Sequence, residues 1–448
     1  EKESRLQLGC ALFTCVTMFV VLCIAGVIVG FGVNLTTFNL GRVGASNTQA
    51  VDRLALIGAD GNVYVVDRNG GAQVAVTDNA AMAPNAPVRR GYAYPNWSPD
   101  NQRIAFVGVS SEGNGKATLY TANARDGKSV ELFTSADVFP FYLYWSPDSQ
   151  RLAFLTQGRS DTLGLNLANA DGTGNAELGR GNPLYFSWSP DSQSVVSHIG
   201  GSRRSSADAF IGLHSVVSGN QAQNLAIAPA NFLAPAWSPD GTEFISALMG
   251  VTNRDDTLIV TDRRGEHPRS IASFAGAVAF NWSPDGKQIA YLQTQRTTNG
   301  LKSELHLVKP DGSGNQTLTD ESPIAFFWSP DGTRIAYLVF AGGSQGALQF
   351  TSAGEQQTVV RVTLKVIAVA DQQVTTLITF VPTDSFATLI QYFDQYAQSL
   401  RIWSPDSQSL VFCAEEKNGD ESVYVVGARN GDEPQRIAGG SIAAWSWK

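Results

Sequence analysis

Apolar positions along the chain fall into three regimes. Residues 8–33 contain no charged side chain, a run long enough for the roughly 20 apolar residues that a bilayer-crossing helix needs and longer than the apolar core of a cleaved signal peptide. This predicts one transmembrane α-helix behind an N-terminal tail over residues 1–7. Residues 34–50 are rich in Asn, Thr, Ser and Gly and have no periodic apolar positions, which predicts a tether. From 51 to 448 the apolar residues come in short runs bounded by turn residues, the pattern of β-strands. One stretch breaks that pattern: Phe386, Leu389, Ile390 and Phe393 fall at helical spacing behind Asp384 or Ser385 as a cap, and predict a helix.

The β-rich part is periodic on a larger scale. Trp-Ser-Pro-Asp begins at Trp97, Trp145, Trp188, Trp237, Trp282, Trp328 and Trp403, and such a period marks a repeat architecture. Each repeat reads as an apolar strand ending in Trp, a tight turn, and three further strands. Turn chemistry accounts for the motif: Pro presets the backbone, Asp accepts from a backbone N–H, and Gly241, Gly286 and Gly332 ease a left-handed residue. The Trp side chain is expected to fill the gap between neighbouring sheets. The interval from Trp328 to Trp403 is longer than the others by more than half, which places insertions at residues 341–358 and 381–400.

The repeated Trp-Ser-Pro-Asp-Gly pattern resembles the WD-like repeat of TolB-type β-propellers, a family best known in bacteria. The resemblance covers residues 51–448 and implies one four-stranded blade per repeat. Seven blades start at the seven motifs. An eighth is expected from the two ends of the chain, because Ala444-Trp445-Ser446-Trp447 is a motif cut off after its Trp. The expected fold is therefore all-β, an eight-bladed propeller closed by joining N- and C-terminal strands and preceded by one transmembrane helix.

Composition narrows the function classes. Lys plus Arg number 32 against 40 Asp plus Glu, a net charge of -8, which speaks against a sequence-independent grip on nucleic-acid phosphates. Three of the four cysteines, Cys10, Cys15 and Cys23, lie in the apolar run and Cys413 stands alone, so no disulfide framework is implied. The four histidines fall at no zinc or haem spacing relative to one another or to Cys. Gly342-Gly343-Ser344-Gln345-Gly346 matches a nucleophile elbow in letters only, since no strand-turn-helix of a hydrolase domain surrounds it. No catalytic residue, cofactor or metal is expected, and an enzyme is not.

In an up-and-down blade the loops after strands two and four share one face. Both insertions, the loop carrying Arg89 and Arg90, and the loop carrying Arg203 and Arg204 belong to it. With the aromatic and aliphatic set Phe386, Ile390, Tyr392, Phe393 and Tyr396, these residues form the expected partner-contact surface, since Arg and aromatic anchors dominate interface centres. The competing reading is that this stripe packs the insertion onto its own blade. The expected role is a non-catalytic, membrane-anchored scaffold or accessory subunit of a larger membrane complex of energy-transducing or electron-transport type. Its partners would be other membrane-protein subunits, and the lipid bilayer through residues 8–33. The N-terminus would be cytoplasmic and the propeller extracytoplasmic. The alternatives are a periplasmic peptide- or protein-binding module, which the TolB resemblance implies, and a ligand-binding or enzymatic propeller.

Overall fold

The computed structural model describes residues 52–448 apart from 114, 205, 218–221, 231–232, 251–254, 299 and 343–359. The tail, apolar run and tether over residues 1–50, and most of the 341–358 insertion, lie outside the described residues. What is described is a β-propeller. Six sheets have four antiparallel strands each; the first runs Arg90–Trp97, Arg103–Ser110, Lys116–Asn123 and Ser129–Ser135. In each four-stranded sheet the innermost strand ends in the motif Trp, and several neighbouring innermost strands touch one another.

Two expectations are corrected. Counted by hydrogen-bonded sheets the propeller has seven blades and not eight, because the last strand, Gln435–Trp445, serves two sets of partners. Its first half pairs with Glu421–Gly427 (Val425 opposite Gln435, Ser422 opposite Gly439). Its second half pairs with Arg53–Gly58 (Gly58 opposite Gly440, Leu54 opposite Trp445). The result is one six-stranded sheet in which both ends of the chain take part; Trp445 ends one of its strands, and Trp403 meets its edge only through an isolated bridge to Leu410. Gly440 sits at the crossover, where a Cβ would press into the Ile57 carbonyl oxygen.

The second correction concerns the membrane. Among the described residues no helix is long and apolar enough to cross a bilayer. The two helices there are α1 (Asp384–Gln391) and α2 (Phe393–Ser399), of eight and seven residues, and a helix that short rises only about 12 Å against a hydrocarbon core of about 30 Å. The single-pass membrane localisation is therefore not supported, and the lipid contact expected of residues 8–33 falls outside the described residues.

The motif itself is a closed local network. Ser98 Oγ donates to Asp100 Oδ1 at 2.6 Å and accepts from Arg103 N–H at 3.0 Å, while Asp100 Oδ1 accepts from Gln102 N–H at 3.0 Å. The same Ser-to-Asp bond recurs at Ser146, Ser189, Ser238, Ser283, Ser329 and Ser404. The residue after Asp adopts positive φ in every copy, from 59° at Ser407 to 71° at Gly286. Where it is Ser149, Ser192 or Ser407, its hydroxyl accepts the backbone N–H of Asp100, Asp148 or Asp331 in the preceding motif.

The indoles join the blades. Six of the eight donate to the carbonyl of the residue before the preceding Trp: Trp97 to Ala444 (3.2 Å), Trp145 to Asn96 (3.2 Å), Trp188 to Tyr144 (3.0 Å), Trp282 to Ala236 (3.0 Å), Trp328 to Asn281 (3.4 Å) and Trp403 to Phe327 (3.0 Å). The buried Nε1 groups of Trp237 and Trp445 have no acceptor. One of these gaps lies in the six-stranded sheet, where Trp445 ends the strand that serves both sets of partners. The other lies where the first strand of its blade shrinks to Ala236–Trp237.

Candidate functional site

The feature that departs from the repeat is the insertion carrying α1 and α2. Thr383 caps α1, its Oγ1 accepting from Phe386 N–H at 3.2 Å. The cap thus falls one residue before the expected Asp384, which occupies the first turn and favours the helix N-terminus by its charge. The helical path breaks at Tyr392 (φ -113°), and α2 continues from Phe393.

The helices do not lie on the outer surface. The α2 helix touches the first strands of four blades, Phe139–Trp145, Leu184–Trp188, Ala277–Trp282 and Ala325–Trp328, and α1 touches Gln435–Trp445. Such contacts, drawn from opposite sides of the ring, place the helices inside the channel as a plug. Phe386, Leu389, Ile390 and Phe393 are buried in the largest apolar cluster with Phe326, Phe327, Phe380 and Trp403. Phe393 meets Phe326 edge-on at 5.2 Å, and Tyr396 meets Tyr142 at 5.2 Å.

Polar bonds fix the plug in one register. Asn96 Nδ2 donates to Ser399 O at 3.0 Å and to Leu143 O at 2.9 Å, and Tyr142 donates to Gln395 O at 2.9 Å. Gln398 accepts from Ser187 Oγ at 2.5 Å and donates to Pro235 O at 3.2 Å. Asp394 Oδ2 accepts from Ala234 N–H at 3.2 Å. Asp394 and Gln398 stand one helical turn apart and satisfy the backbone of Ala234 and Pro235, just ahead of the shortened Ala236–Trp237 strand. Side chains of α2 thereby take over pairing that a longer strand would supply.

Electrostatics inside the plug follow from burial. Enclosure pushes the Asp394 carboxyl up to about 6, partly opposed by the backbone N–H groups of Ala234 and Gln395. Burial raises the phenols of Tyr142, Tyr185 and Tyr396 well above their ordinary value. It pulls Arg401 down to about 10, and that guanidinium lies 4.3 Å from the Trp447 ring. Asn96 Oδ1 and Gln395 Oε1 are buried acceptors without a hydrogen-bond donor.

Of the residues singled out from sequence, Phe386, Ile390 and Phe393 are 1%, 6% and 7% exposed, and Tyr392 and Tyr396 are half-buried. The structure brings this set together as packing of the plug. The Arg pairs lie on two other blades, Arg203 and Arg204 in a loop and Arg89 and Arg90 where a loop enters the strand Arg90–Trp97. Arg204 forms a bidentate pair with the buried Asp256, and Arg203 bonds the carbonyl of Ala207. Arg90 lies 4.0 Å from Glu112, and Arg89 N–H donates to Ser111 Oγ.

Asn96, Tyr142, Asp394 and Gln398 went unread in the sequence. The available signal for Asp394 and Gln398 was their i, i+4 spacing, which puts both on one side of the helix. On the opposite face, a cleft of about 360 Å³ lies between the motifs of Trp237 and Trp282. Its carboxylates are already engaged, Asp240 by Ser238 and Thr242, Asp285 by Ser283 and Lys287, and Glu243 by Arg269.

Comparison with known proteins yields the fold and no more. No protein-family model and no curated protein matches the chain. Among solved structures, the chain is similar to a eukaryotic initiation factor (11% identity, 88% of this chain and 98% of that one, TM-score 0.52). It is also similar to the dihydro-heme d1 dehydrogenase NirN in complex with DHE (13%, 90% and 77%, TM-score 0.52). TolB from Acinetobacter baumannii aligns more loosely (13%, 82% and 87%, TM-score 0.37) and carries no argument. At these identities the likeness is one of architecture alone: the chain is a β-propeller with TolB-like propellers among its structural neighbours.

Proposed function

We propose that the propeller is a non-catalytic protein-binding module, a scaffold or accessory subunit that offers its insertion-bearing face to a protein partner. The supporting observation is the plug. With α1 and α2 packed into the channel and held by Asn96, Tyr142 and Gln398, that mouth becomes a continuous surface suited to docking rather than an open bore. The Ser and Asp side chains of the motifs are spent on turn geometry. The Ser197 Oγ to His214 Nε2 contact at 2.8 Å is sealed inside a blade, both residues being at most 1% exposed, and so lacks the substrate access that nucleophilic catalysis needs.

The test compares the two faces. A photo-crosslinking side chain at the exposed Gln391 position, at the end of α1, is expected to capture a discrete protein partner in cells. The same side chain at Lys287, on a motif turn, is expected to capture it far less. Recovery of the chain alone from both positions would sink the proposal. A second reading, peptide binding within the mouth, draws on the unpartnered oxygens of Asn96 and Gln395. It requires the plug to move, and it would show as peptide binding that is lost when α1 and α2 are tied to the channel wall.

A further inference from the structure

Strand Asp256–Asp262 turns into strand Arg269–Phe274 through Asp262-Arg263-Arg264-Gly265-Glu266-His267. Asp262 Oδ1 accepts the backbone N–H groups of Arg264 and Glu266, each at 2.9 Å. Its Oδ2 lies 2.9 Å from His267 Nδ1. Donor atoms of Asp262, Glu266 and His267 all lie within 4.8 Å of one another.

Turn formation explains only part of this. After strand Val63–Asp67, Asp67 Oδ1 accepts from Asn69 N–H at 2.9 Å and Gly71 N–H at 2.7 Å, with Gly70 at φ 77° where this turn has Gly265 at φ 75°. The two turns are built alike. Yet the first uses Gly71 and Ala72 where the second has Glu266 and His267, and its Asp67 Oδ2 accepts from Ala72 N–H at 3.1 Å instead of meeting an imidazole. Neither the Glu266 nor the His267 side chain is needed for the turn. Arg263, the adjacent cation, is drawn away by Asp191 of the neighbouring blade at 2.7 Å.

We propose that Asp262 Oδ2, the Glu266 carboxylate and the His267 imidazole bind a divalent transition-metal ion, with Zn²⁺ suited to the mixed nitrogen and oxygen donors and water completing the shell. Bound at Nδ1, the metal takes the place of the proton shared by ring and carboxylate. A neutral ring carries its single proton at Nε2 in the bound form, the proton moving there if it sat at Nδ1, and an imidazolium keeps the Nε2 proton and releases the Nδ1 proton to solvent. Because the ligating ring nitrogen must be free of its proton, protons compete with the metal. His and Cys spacing along the chain does not mark this group, because two of its three donors are carboxylates.

Calorimetric titration of Zn²⁺ into the full chain tests the site. His267 is the exposed histidine, with its side chain 84% exposed, whereas His198 and His214 are buried and His306 stacks on Tyr291 at 4.7 Å. Because Cys10, Cys15 and Cys23 offer thiols elsewhere, the readout is the difference between the wild type and His267→Ala. One equivalent of Zn²⁺ is expected to vanish in His267→Ala and to bind at least about tenfold more weakly in Glu266→Gln. The same equivalent should weaken on going from about pH 7.5 to about pH 5.5. Both substitutions leave Asp262 and Gly265 in place, and unchanged circular dichroism would show that the turn persists. Equal Zn²⁺ uptake by the wild type and His267→Ala, whether high or absent, overturns the proposal.

Discussion

Trp97 Nε1 donates to the Ala444 carbonyl at 3.2 Å, linking the first motif of the chain to the residue before its last motif Trp across 347 positions. The bond repeats at the junctions of five other motif indoles and fails at Trp237 and Trp445. Ring closure thus depends on the same indole-to-carbonyl joint that holds most neighbouring blades together.

Replacing the indole by phenyl separates this hydrogen bond from packing. Trp97→Phe is expected to cost more than Trp237→Phe by about 1 kcal/mol, the net worth of one buried hydrogen bond, since Trp237 has no acceptor to lose. Urea unfolding of the two variants measures the difference. Equal losses would show that the joint contributes nothing beyond ring burial.

Gly440 marks the point where one strand passes from the Glu421–Gly427 partner to the Arg53–Gly58 partner. Gly440→Ala drives a methyl against the Ile57 carbonyl, so the terminal pairing must shift. A loss of about 1–3 kcal/mol is expected, as for other overpacked sites, with faster amide exchange in Arg53–Gly58. An unchanged melting temperature would contradict this.

Asp394 makes the plug sensitive to pH. Its folded-state pKa of about 6 lies above the ordinary 3.8. The stability linked to its protonation is therefore fully present below about 4 and lost as pH rises through about 6. Asp394→Asn keeps an acceptor for Ala234 N–H and cannot ionise. Relative to the wild type, that variant should gain up to about 3 kcal/mol between pH 4 and pH 7.5, about two pKa units at 1.36 kcal/mol each. Parallel stability profiles for the two proteins would refute the assignment.

Phe393 anchors α2 against Phe326 and Phe327. Phe393→Ala should cost about 3–5 kcal/mol by opening a cavity, and protease cleavage within residues 381–401 should rise before the blades unfold. Gln398→Ala, which strands the Pro235 carbonyl and the Ser187 hydroxyl, should act in the same direction by about 1–3 kcal/mol.

The repeat was legible because its causes are local. Ser98, Asp100, Gln102 and Arg103 complete their bonds within six residues, so the letters and the turn are nearly the same statement. The helix near 385 was legible for a similar reason, as apolar spacing and a cap act over one or two turns. Neither the number of sheets nor the docking of that helix is local. Whether Gln435–Trp445 ends one blade or fuses two depends on partners at both ends of the chain. Asn96 meets Ser399 across 303 residues, and Ala234 meets Asp394 across 160.

Those contacts change the meaning of the aromatic stripe. An amphipathic helix announces an apolar face, and its sequence does not say whether that face meets a partner or the wall of its own channel. The sequence by itself determined the repeat, the turns and the place of the insertion, because each rests on short-range hydrogen bonding and periodicity; the propeller was what the family resemblance of the repeat implied. Only the tertiary structure decided the seven-sheet closure, the plug and the half-buried setting of Asp394. Each of these arises where segments far apart in the chain compete to cover the same apolar surface and satisfy the same backbone groups.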